Sequence, residues 1–247
     1  MTPSFRNTRL SVVASLVFLA ITPIPSYGVV YVLDSLQSGP TEDILTNAIN
    51  LSLSAGTQSG ARMPTDTNPA LNHTGSMSLT LTAVGGGLDQ RQANIVGGEF
   101  SYVNQRNPND LWVLRYGTAL QDSLGNPLSQ FIVPADAPVV GITDVTRTGL
   151  AVTYTLQFYD ASGDELGATI AKIVPPGISI DLLLFEITAG VNVIDIPNIR
   201  GMSISINVPN ASTGSSGTFT SVILTPEPSR ALLLALSLGL LMLRRRR

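Results

Sequence analysis

Cysteine is absent from the 247 residues, and histidine occurs once. The first absence excludes a disulfide framework, a thiol nucleophile and any cysteine-based metal site. A single histidine disfavours zinc. It also leaves a Ser–His–Asp hydrolase only His73 to use, inside the polar stretch Leu71-Asn72-His73-Thr74-Gly75. No Gly-x-Ser-x-Gly elbow occurs anywhere. Gly85-Gly86-Gly87 runs into Leu88 without the Gly-Lys-Ser/Thr of a phosphate loop, so it reads as a turn between strands. Aromatics are few for a sugar-stacking site: one Trp, six Tyr and seven Phe. Between residues 29 and 224 no stretch holds helical periodicity for three turns.

What is present is most distinctive at the two ends. Arg6 and Arg9 precede an apolar run over residues 10–21. Pro23 and Pro25 break that run, and Ser26-Tyr27-Gly28 supplies small residues for cleavage. This is the layout of a secretory signal peptide, with a mature chain starting near Val29. An uncleaved anchor is the alternative, although the run is short for a membrane span. The other end has three parts: the elbow Pro226-Glu227-Pro228 with Ser229, an apolar run over residues 231–243, and Arg244, Arg245, Arg246 and Arg247. Pro228 suits the first turn of a helix, and Glu227 suits the positive end of its dipole. Thirteen apolar residues span about 20 Å at roughly 1.5 Å each, against a hydrocarbon core of about 30 Å. Counting from Pro228 and letting arginine stems snorkel closes most of the gap. A core helix of a soluble domain is the alternative reading, but such a helix would not end in four adjacent like charges. Four arginines on one flank against Arg230 on the other orient the span with its C-terminus in the cytoplasm.

This tail resembles the PEP-CTERM sorting signal of Gram-negative bacteria in Pro226-Glu227-Pro228-Ser229, the apolar run and the terminal arginines. The resemblance covers about a tenth of the chain. It implies export, transient retention in the inner membrane, and recognition by an exosortase that cuts near the motif. The product would then be attached at the surface or released into the matrix. It also implies an association with exopolysaccharide and biofilm. It does not imply what the exported domain does.

Only Glu227 of the 17 acidic residues lies in the tail, whereas seven of the 14 basic residues lie in the two ends. Residues 29–224 therefore carry seven basic and sixteen acidic side chains, net −9. That balance argues against nucleic acid as a partner.

Inside 29–224 the dominant signal is period-two alternation in short runs separated by turn residues. Residues 49–53, 77–83, 152–158 and 202–208 each put apolar side chains on one face and Ser, Thr or Asn on the other. Less regular strands are expected over residues 29–33, 95–103, 111–116, 130–133 and 217–224. Residues 178–188 are nearly all apolar and read as a central strand buried on both faces. A hairpin joins residues 151–159 to 165–174 through a polar loop. One short helix is expected over residues 40–50, capped by Thr41 with Glu42 and Asp43 in its first turn. Residues 54–76 and 104–110 read as long loops. Together these signals predict an all-β chain, an antiparallel β-sandwich or jelly-roll-like domain. It lies between a signal peptide (1–28) and a sorting signal with a single transmembrane helix (225–247).

Candidate sites within the domain are sparse. Trp112 and Tyr116 share one face of an expected strand and could stack on a sugar, or else belong to the core. Asp160, Asp164 and Glu165 cluster in the hairpin loop. They could offer oxygen ligands to calcium, although Asp at a hairpin turn is ordinary. No other cofactor is expected. Three functions stay open: a non-enzymatic surface or matrix component, a carbohydrate-binding module that holds exopolysaccharide, and a hydrolase.

Overall fold

The computed structural model describes residues 29–37, 48–73, 76–83, 91–104, 110–117, 130–208 and 214–226. The expected signal peptide, the sorting tail beyond Pro226 and residues 40–47 of the expected short helix lie outside the described residues. Among those described, no helix is long and apolar enough to cross a membrane.

Strands β1 (Tyr31–Asp34), β2 (Ile49–Leu53), β3 (Gly56–Arg62), β4 (Met77–Ala83), β5 (Arg91–Val96), β6 (Glu99–Asn104) and β7 (Asp110–Gly117) form the first half of the domain. The second half holds β8 (Val139–Thr148), β9 (Val152–Tyr159), β10 (Glu165–Val174), β11 (Ile180–Glu186), β12 (Gly201–Val208), β13 (Ser215–Phe219) and β14 (Ser221–Thr225). They build two antiparallel sheets. The six-stranded sheet runs β10-β9-β12-β7-β4-β3. The eight-stranded sheet runs β1-β14-β8-β13-β6-β5-β2, with β11 paired to β8. The chain is all-β in a sandwich-like arrangement, as its alternating pattern predicts.

The alternation decides which face each strand buries. Leu79, Leu114, Ile204 and Leu156 stand in one row across β4, β7, β12 and β9, and all are wholly buried. The neighbouring row is Leu81, Trp112, Ile206 and Tyr154, also wholly buried. From the facing sheet Tyr102 meets Trp112 with ring centroids 4.9 Å apart. Fully burying an apolar side chain of this size contributes roughly 1.5–3 kcal/mol, so these rows hold the sheets together.

Two ion pairs cross between the sheets inside the core. Arg62 of β3 reaches Asp34 of β1 at 2.9 Å, and Arg91 of β5 reaches Asp110 of β7 at 3.0 Å, with all four side chains fully buried. Asp34 also accepts hydrogen bonds from the Leu36 and Thr65 N–H groups and from the Tyr116 hydroxyl. Burial pushes its carboxyl above the ordinary carboxylate range, against the pull of Arg62 and those two N–H groups.

Several expectations need correction. Residues 95–103 are not one strand. Gly97 and Gly98, at φ 63° and 88°, turn the chain between β5 and β6. Two successive positive φ angles match a two-residue hairpin turn that glycine adopts without strain. Residues 178–188 do not form a central strand. β11 pairs only with β8, and Leu182 is 40 % exposed. Residues 130–133 form no strand, although Phe131 and Val133 are buried. Residues 54–76 are not one loop, because β3 pairs with β4 over seven residues. At the end of the expected helix, Ile49 and Asn50 open β2. The hairpin between β9 and β10 forms as expected.

Gly217 of β13 sits between Tyr102 of β6 and Arg147 of β8. A Cβ placed there would lie 2.5 Å from the Tyr102 hydroxyl and 2.7 Å from two ring carbons. Gly217→Ala is therefore expected to cost roughly 1–3 kcal/mol through overpacking, read as a lower denaturant midpoint. An unchanged midpoint would mean that the Tyr102 ring yields freely.

Candidate functional site

Among the described residues, those singled out in the sequence do not form one site. Trp112 and Tyr116 are wholly buried between the sheets, so they make no exposed sugar platform. The Trp112 Nε1–H donates to the Gln92 carbonyl at 3.2 Å, and the Tyr116 hydroxyl points to Asp34. Asp160 shapes its hairpin: its Oδ1 accepts from the Ser162 and Asp164 N–H groups at 2.8 and 3.0 Å. Among the described residues no group of three or more His, Asp or Glu side chains is placed to hold a metal ion. Asp160, Asp164 and Glu165 thus act as turn and strand residues here.

His73 follows the short 3₁₀ turn Pro69–Leu71 and lies against Phe131, ring centroids 6.4 Å apart. Its Nε2 is buried without a hydrogen-bond partner among the described residues. Loss of solvent lowers its pKa from the usual 6.5 to about 4. An imidazole that avoids protonation and faces no carboxylate among the described residues is poorly arranged for acid–base chemistry at neutral pH. It has a consequence for stability. The unfolded chain takes up this proton near pH 6.5 and the folded protein only near pH 4. Stability is therefore lost as pH falls between those values. His73→Gln is expected to flatten that part of the pH profile in denaturant titrations. An identical profile in the variant would show that His73 does not carry it.

The outer face of the six-stranded sheet holds the more informative arrangement. Ser78, Arg115, Ser203 and Gln157 stand side by side across β4, β7, β12 and β9. They point away from the hydrophobic core because their neighbours in sequence point into it, yet Ser78, Ser203 and Gln157 are buried and only Arg115 is half-buried. Arg115 is the one charged side chain of this row, and its Nε has no hydrogen-bond partner among the described residues. Ser78 Oγ is likewise without one. The Tyr159 hydroxyl and Ser203 Oγ are 3.2 Å apart, and Thr169 donates to Gln157 Oε1 at 3.0 Å. The next row over carries Thr80, the buried Val113, Ser205 and Thr155, with Ser59 of β3 hydrogen-bonded to Thr80 at 2.9 Å. Strands lie about 4.8 Å apart and same-face residues about 6.8 Å along a strand, so Arg115 stands among buried polar side chains in its own row and beside the half-buried hydroxyls of Thr80, Ser205 and Thr155 in the next. Nothing in the alternating pattern marks Arg115 as different from an ordinary surface arginine; only its register places it at the centre.

No protein-family model matches the chain, and no curated protein matches it either. Among solved structures, it is similar to a family 11 carbohydrate-binding module from Clostridium thermocellum in complex with a β-1,3-1,4-mixed-linked tetrasaccharide. The identity is 13 % over 81 % of this chain and 98 % of that one, with a TM-score of 0.38. A second likeness, to TmCBM61 in complex with β-1,4-galactotriose, has 10 % identity over 73 % of this chain and 88 % of that one, TM-score 0.31. A third, to an exo-β-agarase, has 11 % identity over 81 % of this chain but only 25 % of the other, TM-score 0.38. Likenesses this low carry no statement about ligand or activity, and the fold stands on its own strand pairing.

Proposed function

We propose that this protein is an exported, non-enzymatic component of the cell surface or extracellular matrix, delivered by a PEP-CTERM-type sorting signal. The observation that carries the reading is the order of Pro226-Glu227-Pro228-Ser229, the apolar run and Arg244 to Arg247. The fold is compatible with it. β14, the last strand, is held between β8 and β1 and runs to Thr225, directly before the motif. Tyr31 lies opposite Leu224, so residues 29–30 and 225–226 leave β1 and β14 at the same end of the pair. A domain joined at one end to an export signal and a sorting signal suits an intermediate held at the inner membrane before release. An exosortase and the export machinery are its expected partners.

A second reading, binding of exopolysaccharide, is favoured by Arg115 and the half-buried hydroxyls of Thr80, Ser205 and Thr155 beside it. A guanidinium and flanking hydroxyls can hydrogen-bond a hydroxyl-rich polymer without an aromatic platform. The net charge of −9 over residues 29–224 favours a neutral polymer over an acidic one. The protein is expected to be retarded on an affinity gel cast with a neutral polysaccharide, and Arg115→Ala to weaken retention roughly tenfold through loss of charge-assisted hydrogen bonds. If the unaltered protein migrates freely through every such gel, this reading is lost and the matrix reading stands without it.

A further inference from the structure

The core holds a positive charge that no acidic side chain among the described residues neutralises. Arg147 of β8 is only 4 % exposed, and it stands in one row with Gly217 and Tyr102 of the same sheet. Because Gly217 has no side chain, the Tyr102 ring and its hydroxyl lie over it. From the other sheet comes Tyr154, wholly buried. Only one guanidinium nitrogen is satisfied by an acceptor: Arg147 Nη1 donates to the Val174 carbonyl at 2.7 Å. Arg147 Nε and Nη2 are buried with no hydrogen-bond partner among the described residues, and the buried hydroxyls of Tyr102 and Tyr154 interact with each other. The two tyrosines and the guanidinium sense each other's charge, and no carboxylate enters that balance.

This cluster is rich in donors. Nε carries one N–H and Nη2 carries two. Even if one tyrosine hydroxyl donates to the other, the second proton is left to give. A guanidinium taken out of water without a counter-charge costs several kcal/mol, and each unsatisfied buried donor costs more. Arg91 and Arg62, the other two buried arginines, each have an aspartate. We propose that Arg147, Tyr102 and Tyr154 form an interior binding site for a small monovalent anion of the halide class, which supplies the missing negative charge and accepts from the guanidinium and from the one tyrosine hydroxyl proton left free. Its N–H and O–H donors suit a spherical acceptor.

The test is thermal unfolding of the full chain in nonionic detergent, at constant ionic strength, with chloride or bromide replacing gluconate. The midpoint is expected to rise by about 5 °C and to saturate, as mass action requires of a ligand bound only by the folded state. Bromide should replace chloride, against its usual ranking as a destabilising salt. Arg147→Met keeps the volume and removes the charge, so its midpoint should not respond to halide. Chloride-35 line broadening should be present with the unaltered chain and absent with that variant. Should Arg147→Met fail to fold, Tyr154→Phe removes one donor with little change of shape and should shift the halide response to higher concentration. An unaltered chain whose midpoint ignores the exchange of gluconate for halide, or an Arg147→Met response equal to its parent's, would overturn the site.

Discussion

Asp34→Ala is expected to cost roughly 3–5 kcal/mol, enough to unfold a domain of ordinary stability. The aspartate receives Arg62 at 2.9 Å, the Leu36 N–H at 2.9 Å and the Thr65 N–H at 3.2 Å, all in the interior. Removing it leaves a buried guanidinium without a counter-charge and two backbone donors without an acceptor. The Arg62 Nη2 contact to the Gln37 carbonyl, at 2.9 Å, cannot replace it. Asp34 belongs to β1 and Arg62 to β3, so the pair also ties the two sheets. The double change Asp34→Leu with Arg62→Met should recover much of the loss, because an apolar pair of similar volume carries no desolvation penalty. Circular dichroism with urea titration reads both. If Asp34→Ala unfolds at the parent's midpoint, the pair contributes nothing net.

Replacing Pro226, Glu227 and Pro228 together by alanine is expected to abolish processing of the tail while export continues. The full-length chain should then accumulate in the inner membrane fraction, with little or none recovered outside the cell. The residues changed lie beyond β14, which pairs with β8 and β1 through Thr225 and Leu224, so the sandwich should fold as before. That separation of folding from sorting makes the outcome readable. Normal release of the triple variant would remove the exosortase reading.

Much of the fold is legible in the chain because one-sided burial writes itself as period two. β2, β4, β9 and β12 follow that rule over most of their length, and all four are recovered. β8 is not visible, although it pairs with three strands. The reason is local. Asp144 adopts φ 51°, so Thr143 and Asp144 both turn outward and the apolar rhythm of Val140, Ile142 and Val145 loses its period. The same break falls at Thr220, whose hydroxyl donates to Asp144 Oδ2 at 2.6 Å. It divides the single strand expected over residues 217–224 into β13 and β14.

The candidate site was hardly legible. Trp112 and Tyr116 alternate with Val113 and Arg115, and the sequence alone does not say which face meets the core. Their partners Leu81, Ile206 and Met202 decide it. The buried arginines hide for the opposite reason. Arg147 reads as an outward charge, yet it is buried while Thr146 and Thr148 on either side of it face water. A charge at an inward position looks like any surface charge until the register of the neighbouring strands is known.

The intact mass of the protein recovered from outside the cell bears most directly on sorting. A mass for a chain that starts near Val29 and ends near Pro226–Pro228, with or without an added group, is the expected result. A mass that keeps residues 231–247, found only with the inner membrane, would make the tail a plain anchor and place the sandwich in the periplasm.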